Sequence, residues 1–272
     1  MGKNLPLSLL PPAPGWIDTH AHLDRLADEE VKAQLAEATS AGVGAVLAAG
    51  TDLESSEAVV RQCRLASEDR SIVGLFGAAG ISPFDADAVP CGWEGRLREL
   101  LRNERMIAVG EIGLDATNPN YPSFHHQLPV FEAQLSLAKE YGIPAVVHSR
   151  GVEKKVAGIC RSLGSEKVMF HCFTGDLDAL RTILDYGYSI SFSGIITFST
   201  PVAALVSQVP SDRLFIETDA PYLAPAPYRG RQNRPAWVSK TGEAAAALRG
   251  EAAEEMQEAI SRNFRRLFLR EE

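Results

Sequence analysis

The sequence predicts an α/β fold, a TIM-type (β/α)8 barrel of parallel strands wrapped by helices. Three observations carry that expectation. Eight strand-like apolar runs alternate with helix-like segments from end to end. A length of 272 residues suits one barrel, and 45% hydrophobic residues can fill its core. Histidines and carboxylates stand at the carboxyl ends of several runs, the face on which such barrels place their active sites. An open doubly wound sheet is the structural alternative. It would usually need fewer strands, with its ligands near one switch point.

In chain order, strands are expected near 16–19, 43–49, 72–79, 106–112, 144–149, 167–173, 187–193 and 213–218. Each is a short apolar run, as strands buried on both faces should be. Between them, helical spacing of apolar residues marks Glu29–Ser40, Glu54–Glu68, Glu94–Asn103, Gln127–Tyr141, Glu153–Leu163 and Leu177–Tyr186. Gly42, Gly142 and Gly187 supply helix ends before the next strand. The Pro-rich stretch 220–235 reads as a loop after the last strand. The tail 251–269 reads as an amphipathic helix, with Met256, Ile260, Phe264, Leu267 and Phe268 packing on the barrel wall.

One domain is expected over 1–272, with 1–14 a short leader onto the first strand. No apolar stretch reaches the roughly 18 residues a membrane helix needs, and the leader lacks a signal-peptide core. A soluble cytoplasmic protein, read as a monomer, is the default. Cys63, Cys91, Cys160 and Cys172 form no regular framework, so reduced thiols are expected. Cys172 should be a packed core residue pointing away from its neighbour His171. A net charge of −8 argues against a broad basic surface for duplex nucleic acid. It does not exclude a phosphate-bearing substrate if metal ions carry the local positive charge.

His20 and His22 are two apart on the first strand, so both imidazoles can enter the barrel mouth. Glu111, His148, His171 and Asp219 each fall at the end of a later strand, the fourth, fifth, sixth and eighth. Six donors from five strands can therefore converge without help from any loop. Four histidines and two carboxylates suit two divalent ions, because a single catalytic zinc rarely takes more than three protein ligands. His20, His22 and Asp219 are assigned to one ion, His148 and His171 to the other, with Glu111 bridging. A pair about 3.5–4 Å apart can hold a hydroxide between the ions and stabilise an in-line displacement. Asp219 can accept the water's proton. Each residue alone has a blander reading as a core or ion-pair member; the set does not. His125 and His126 are expected as exposed residues at a helix start.

Several motifs resemble those of the TatD-type metal-dependent deoxyribonucleases of the amidohydrolase superfamily. They are Ile17-Asp18-Thr19-His20-Ala21-His22-Leu23-Asp24, Gly110-Glu111-Ile112-Gly113-Leu114-Asp115, His148-Ser149-Arg150, His171-Cys172-Phe173-Thr174-Gly175 and Glu217-Thr218-Asp219-Ala220-Pro221-Tyr222-Leu223. Arg229-Gly230-Arg231-Gln232-Asn233-Arg234-Pro235 resembles the family's Arg/Asn/Pro loop. The resemblance implies a TIM-type barrel, two divalent ions (Mg, Mn or Zn) and nuclease activity on DNA, with RNA also open. Arg150 would grip a substrate phosphate.

The chain also departs from the family pattern. The family's Gly-x-His-Pro-His-like segment reads Gly80-Ile81-Ser82-Pro83-Phe84-Asp85 here. Ser82, in place of a histidine, can still hydrogen-bond a phosphate as a substrate contact. Gly151 replaces the usual Asp, and 116–124 is atypical. Three functions stay open on these residues: a two-metal phosphodiesterase on nucleic-acid ends, an ester or amide hydrolase such as an aminoacyl-tRNA deacylase, and a catalytically decayed metal-binding protein. The complete donor set weighs against the third. A carbamylated-lysine amidohydrolase is disfavoured because Glu111 occupies the place of its bridging lysine.

Overall fold

In the computed structural model, eight apolar runs lie side by side as parallel strands in chain order. The structure describes residues 15–69 and 71–269; the expected leader, 1–14, lies outside the described residues. The strands are β1 Trp16–Ala21, β2 Val43–Ala49, β3 Gly74–Ala79, β4 Met106–Asp115, β5 Ala145–Arg150, β6 Val168–Phe170, β7 Ser189–Phe192 and β8 Leu214–Ile216. Nearly every strand residue is buried, because helices cover the outside and side chains fill the inside. The seam between β8 and β1 is closed just beyond the strands. His22 N–H donates to Ala220 O at 2.7 Å, and Asp219 N–H to His20 O at 3.0 Å.

The helices are α1 Asp28–Ser40, α2 Leu53–Ser67, α3 Trp93–Leu101, α4 Phe124–Tyr141, α5 Glu153–Ser162, α6 Leu177–Asp185, α7 Thr200–Val206, α8 Val238–Arg249 and α9 Ala253–Phe264. Their starts follow local chemistry. Asp52 caps α2 by accepting from Ser55 N–H at 2.7 Å, and Asp176 caps α6 by accepting from Ala179 N–H at 2.8 Å. Gly142 ends α4 in the left-handed conformation at φ 62°. Met256, Ile260, Phe264 and Phe268 of the tail are buried against the barrel, with Leu267 half-buried beside them. Phe264 lies 5.8 Å from Phe76 and 4.9 Å from Phe268 between ring centroids.

Strand ends depart from the sequence reading where they matter. β4 runs on to Asp115, while β6 and β8 stop early, at Phe170 and Ile216. Cys172 and Asp219 adopt φ of 44° and 54°, a left-handed turn that ends a ladder. His22, His171 and Asp219 therefore sit in the first loop residues after their strands. The expectation that the donors would converge without any loop holds for His20, Glu111 and His148 only.

Candidate metal centre

β1 delivers the first two imidazoles to one point. The Nε2 atoms of His20 and His22 are 3.1 Å apart, as alternation along a strand requires. His22 Nδ1 lies 3.1 Å from Ala49 O on β2. A proton on Nδ1 would satisfy that carbonyl and leave the Nε2 lone pair facing the cluster.

Glu111 is the centre of the arrangement. Its Oε2 lies 3.3 Å from His20 Nε2 and 3.4 Å from His22 Nε2. Its Oε1 lies 3.1 Å from His148 Nδ1 and 3.4 Å from His171 Nε2. One carboxylate oxygen thus faces each histidine pair. Asp219 Oδ1 is 3.6 Å from His22 Nε2 and 4.0 Å from His20 Nε2, on the His20/His22 side. The six residues proposed from sequence come together, and His20/His22/Glu111, His20/His171/Asp219 and Glu111/His148/His171 each bring their ligand atoms within 4.8 Å of one another.

This close approach depends on β4 lying flush against β5. Gly113 stands opposite His148 in the ladder at φ 148°. A Cβ there would fall 1.9 Å from His148 O, so only glycine fits. A Cβ on Gly110 would meet the Val146 side chain at 2.7 Å.

His171 Nε2 is buried and makes no hydrogen bond, standing 3.4 Å from Glu111 Oε1. Buried polar atoms rarely go unpartnered, and a bound cation would account for it. Electrostatics agree. Burial opposes protonation of His22 and His171, yet the neighbouring carboxylates outweigh it. His22 is raised well above the usual histidine range, held up by Asp219 and Glu111. Glu111 and Glu217 push His171 up to about 10. Glu111 in turn is held well below the carboxylate range, because the attraction of the histidines exceeds the cost of its burial. Such a pocket draws positive charge, as protons or as metal ions. The residues fit divalent cations.

Sequence reasoning missed the partners behind the donors. His148 Nε2 lies 2.9 Å from Asp115 Oδ2, and His171 Nδ1 is 3.4 Å from Glu217 Oε1. Both acids stood in quoted motifs, but their role depends on cross-strand register. Asp18 accepts from Thr218 N–H at 2.8 Å and Thr218 Oγ1–H at 2.6 Å, tying β1 to the segment that carries Asp219. Asn233, buried in the Arg/Asn/Pro loop, donates to Thr218 O and Tyr222 O at 2.8 and 2.7 Å. It pins the Asp219 turn from the other side.

Above the cluster opens a cleft of about 570 Å³. Arg150 lines it, with Nη1 anchored at 2.6 Å to both Cys172 O and Thr174 Oγ1. Ser82 is placed differently from the sequence reading. It is fully buried and its hydroxyl donates to Asp85 at 3.0 Å, while Phe84 and Asp85 line the cleft. Two buried glutamines two turns apart on one face of α4 fix the surrounding loops. Gln134 bonds Ile81 N–H and O at 2.7 and 2.9 Å. Gln127 bonds Asp115 N–H and O at 2.8 and 3.0 Å. The two stretches that depart from the family pattern meet at the cleft edge, where Phe84 lies 4.6 Å from Tyr121 between ring centroids. His125 and His126 are exposed on the first turn of α4. Cys172 is buried with Sγ 3.3 Å from Ser193 Oγ.

This geometry can be set beside known proteins. The family model for TatD-related DNases matches residues 17–269, from the first strand to the last helix. The chain belongs to the TatD-related DNase family. TatD of Mycobacterium tuberculosis, an uncharacterized metal-dependent hydrolase, is 34% identical over 93% of this chain and 97% of its own. The TatD 3′–5′ ssDNA/RNA exonuclease of Dickeya dadantii is 32% identical over 86% of this chain and 90% of its own. A crystal structure of the TatD homologue YjjV from Escherichia coli K12 superposes with a TM-score of 0.85, at 30% identity, over 93% of this chain and 97% of that one. This chain is thus a TatD-family metal-dependent hydrolase built on a (β/α)8 barrel. No helix among the described residues is long and apolar enough to cross a membrane.

Proposed function

We propose that this TatD-family hydrolase is a two-metal phosphodiesterase that removes nucleotides from the ends of single-stranded DNA or RNA. The observation that carries the reading is the split of Glu111, with one oxygen toward His20 and His22 and the other toward His148 and His171. His20, His22 and Asp219 would hold one divalent ion and His148 and His171 the second, with Glu111 shared. Bound there, such ions activate water and neutralise charge on phosphoryl oxygens. The nitrogen-rich donor set favours Mn or Zn over Mg.

The chain's own residues do the rest. Asp219 reaches the cleft, so its carboxylate can take the proton of the attacking water. Arg150 is held by two hydrogen bonds in the cleft wall, so its cation is pre-positioned for a non-bridging phosphate oxygen. The exonuclease named for the Dickeya dadantii relative supports this substrate class. Three buried, unpaired thiols, Cys63, Cys160 and Cys172, support a cytoplasmic setting.

The test is hydrolysis of end-labelled single-stranded DNA and RNA with added Mg, Mn or Zn, beside D-aminoacyl-tRNA as the competing ester. Stepwise loss of terminal nucleotides, abolished by chelator, is the expected result. Inert oligonucleotides with brisk deacylation would overturn the reading in favour of an ester hydrolase.

A further inference from the structure

Cations are scarce around this cleft. Its lining carries Arg25 and Arg150 against Asp24, Asp85, Glu111 and Asp219. Arg150 already spends one nitrogen on the wall, and the Arg25 side chain is 91% exposed beside Asp24. Beyond the metal cluster and Arg150, the lining offers a strand's phosphates only Arg25, which stands largely in solvent. What the cleft offers instead is aromatic surface. Phe84 lines it and stands edge-on to His148, 5.0 Å between centroids, with Tyr121 tilted behind it. Tyr222 also lines it, 6.3 Å from His22, and is 57% exposed. Among the described residues no other large hydrophobic side chain is as exposed. The rings therefore flank the two ends of the histidine cluster, Phe84 beside His148 and Tyr222 beside His22.

Resting on the phosphodiesterase reading, we infer that Phe84, backed by Tyr121, and Tyr222 form a stacking bracket for the two nucleobases on either side of the scissile phosphate. A phosphodiester seated over Glu111 carries one nucleoside toward each end of the cluster. Every base has a π face, so stacking holds a single strand without reading its sequence and without positive charge. Duplex ends offer no splayed bases, so the bracket selects single strands. Tyr121 contributes by fixing the plane of Phe84, as a positioning residue.

The experiment uses the metal-loaded full chain and two oligonucleotides, one normal and one abasic at its two terminal positions. A third, 2-aminopurine-terminated oligonucleotide carries a slowly cleaved phosphorothioate linkage and reports stacking by fluorescence quenching. Wild type is expected to show a KM about tenfold lower for the normal strand than for the abasic one. Tyr222→Ala and Phe84→Leu should each raise KM on the normal strand about tenfold, leave abasic kinetics within about twofold, and lose part of the quenching. Equal KM for normal and abasic strands, or unquenched 2-aminopurine on wild type, would overturn the bracket. So would Phe84→Leu lowering kcat equally on both strands, which assigns Phe84 to the support of His148. If wild type cleaves neither strand, the phosphodiesterase reading fails by itself, and quenching alone decides on stacking.

Discussion

Three of the four imidazoles on the cleft floor have a fixed partner behind them, whereas the aromatic rings at its edge touch mainly other rings. His22 faces Ala49 O, His148 faces Asp115 and His171 faces Glu217. Phe84 leans on Tyr121, and Tyr222 stands largely in solvent. The floor holds charge in one geometry, so its groups are buried or half-buried and three of its imidazoles are braced from behind. The edge meets a flexible polymer of varied bases, so flat apolar faces without fixed polar partners suffice. Reactivity and substrate choice are thus built from separable parts, and substitutions should separate them.

The sharpest break comes from Glu111→Gln. The amide keeps the shape but removes the charge that both histidine pairs face. Metal binding and hydrolysis should fall together, by more than the roughly 10–100-fold that loss of a partner behind a ligand costs. Metal content by elemental analysis and turnover of labelled DNA check it. A fully active, metal-loaded Glu111→Gln would remove Glu111 from the centre of the arrangement.

The next largest effect tests the bracing. Asp115 is held down to about 2: burial opposes this, but the bond to His148 and those from Thr117 outweigh it. Asp115→Asn leaves a bond to His148 but not the charge. Metal affinity should weaken about 10–100-fold, with KM on the abasic strand and the 2-aminopurine signal at saturating metal unchanged. An Asp115→Asn protein with wild-type affinity would show that register, and not charge, sets the His148 ring.

Floor and edge also differed in how far the sequence disclosed them. The eight runs were readable because parallel strands covered on both faces are apolar throughout, and each candidate donor ended such a run. The ladder ends were not readable. Left-handed turns at Cys172 and Asp219 set them, and for non-glycine residues only tertiary context enforces such turns. Asp115 and Glu217 were visible as residues but not as partners, since β4–β5 register places Asp115 beside His148. Ser82 and Phe84 were harder still. The segment after β3 is not a strand, so alternation does not say which of the two faces the cleft. Gln134 on α4, 53 residues away along the chain, fixes that loop and turns Ser82 inward.

The smallest effect concerns the floor without its ions. His171 is raised to about 10 when folded, against about 6.5 unfolded. A folded pKa above the unfolded value means the protonated form is favoured by folding. That contribution is complete below about pH 6.5 and is lost as pH rises through 10. Asp18 shifts the same way for another reason: burial raises it to about 8, so its unfavourable ionisation is half complete at that pH. The buried thiols of Cys63 and Cys160, pushed up to about 12, also cost stability as pH rises past their ordinary value near 9. The difference between chelator and metal therefore isolates the histidine cluster. In chelator, Tm should fall by a few degrees from about pH 8 to 10. With saturating Mn the fall should be smaller, because a metal-bound imidazole carries no proton to lose. Uptake of metal at pH 7 should correspondingly release protons, measurable by titration calorimetry in buffers of different ionisation enthalpy. An equal fall of Tm in chelator and in Mn from about pH 8 to 10 would mean that the carboxylates do not hold protons on His22 and His171. The attraction of the floor for cations would then come from the bare geometry of its donors alone.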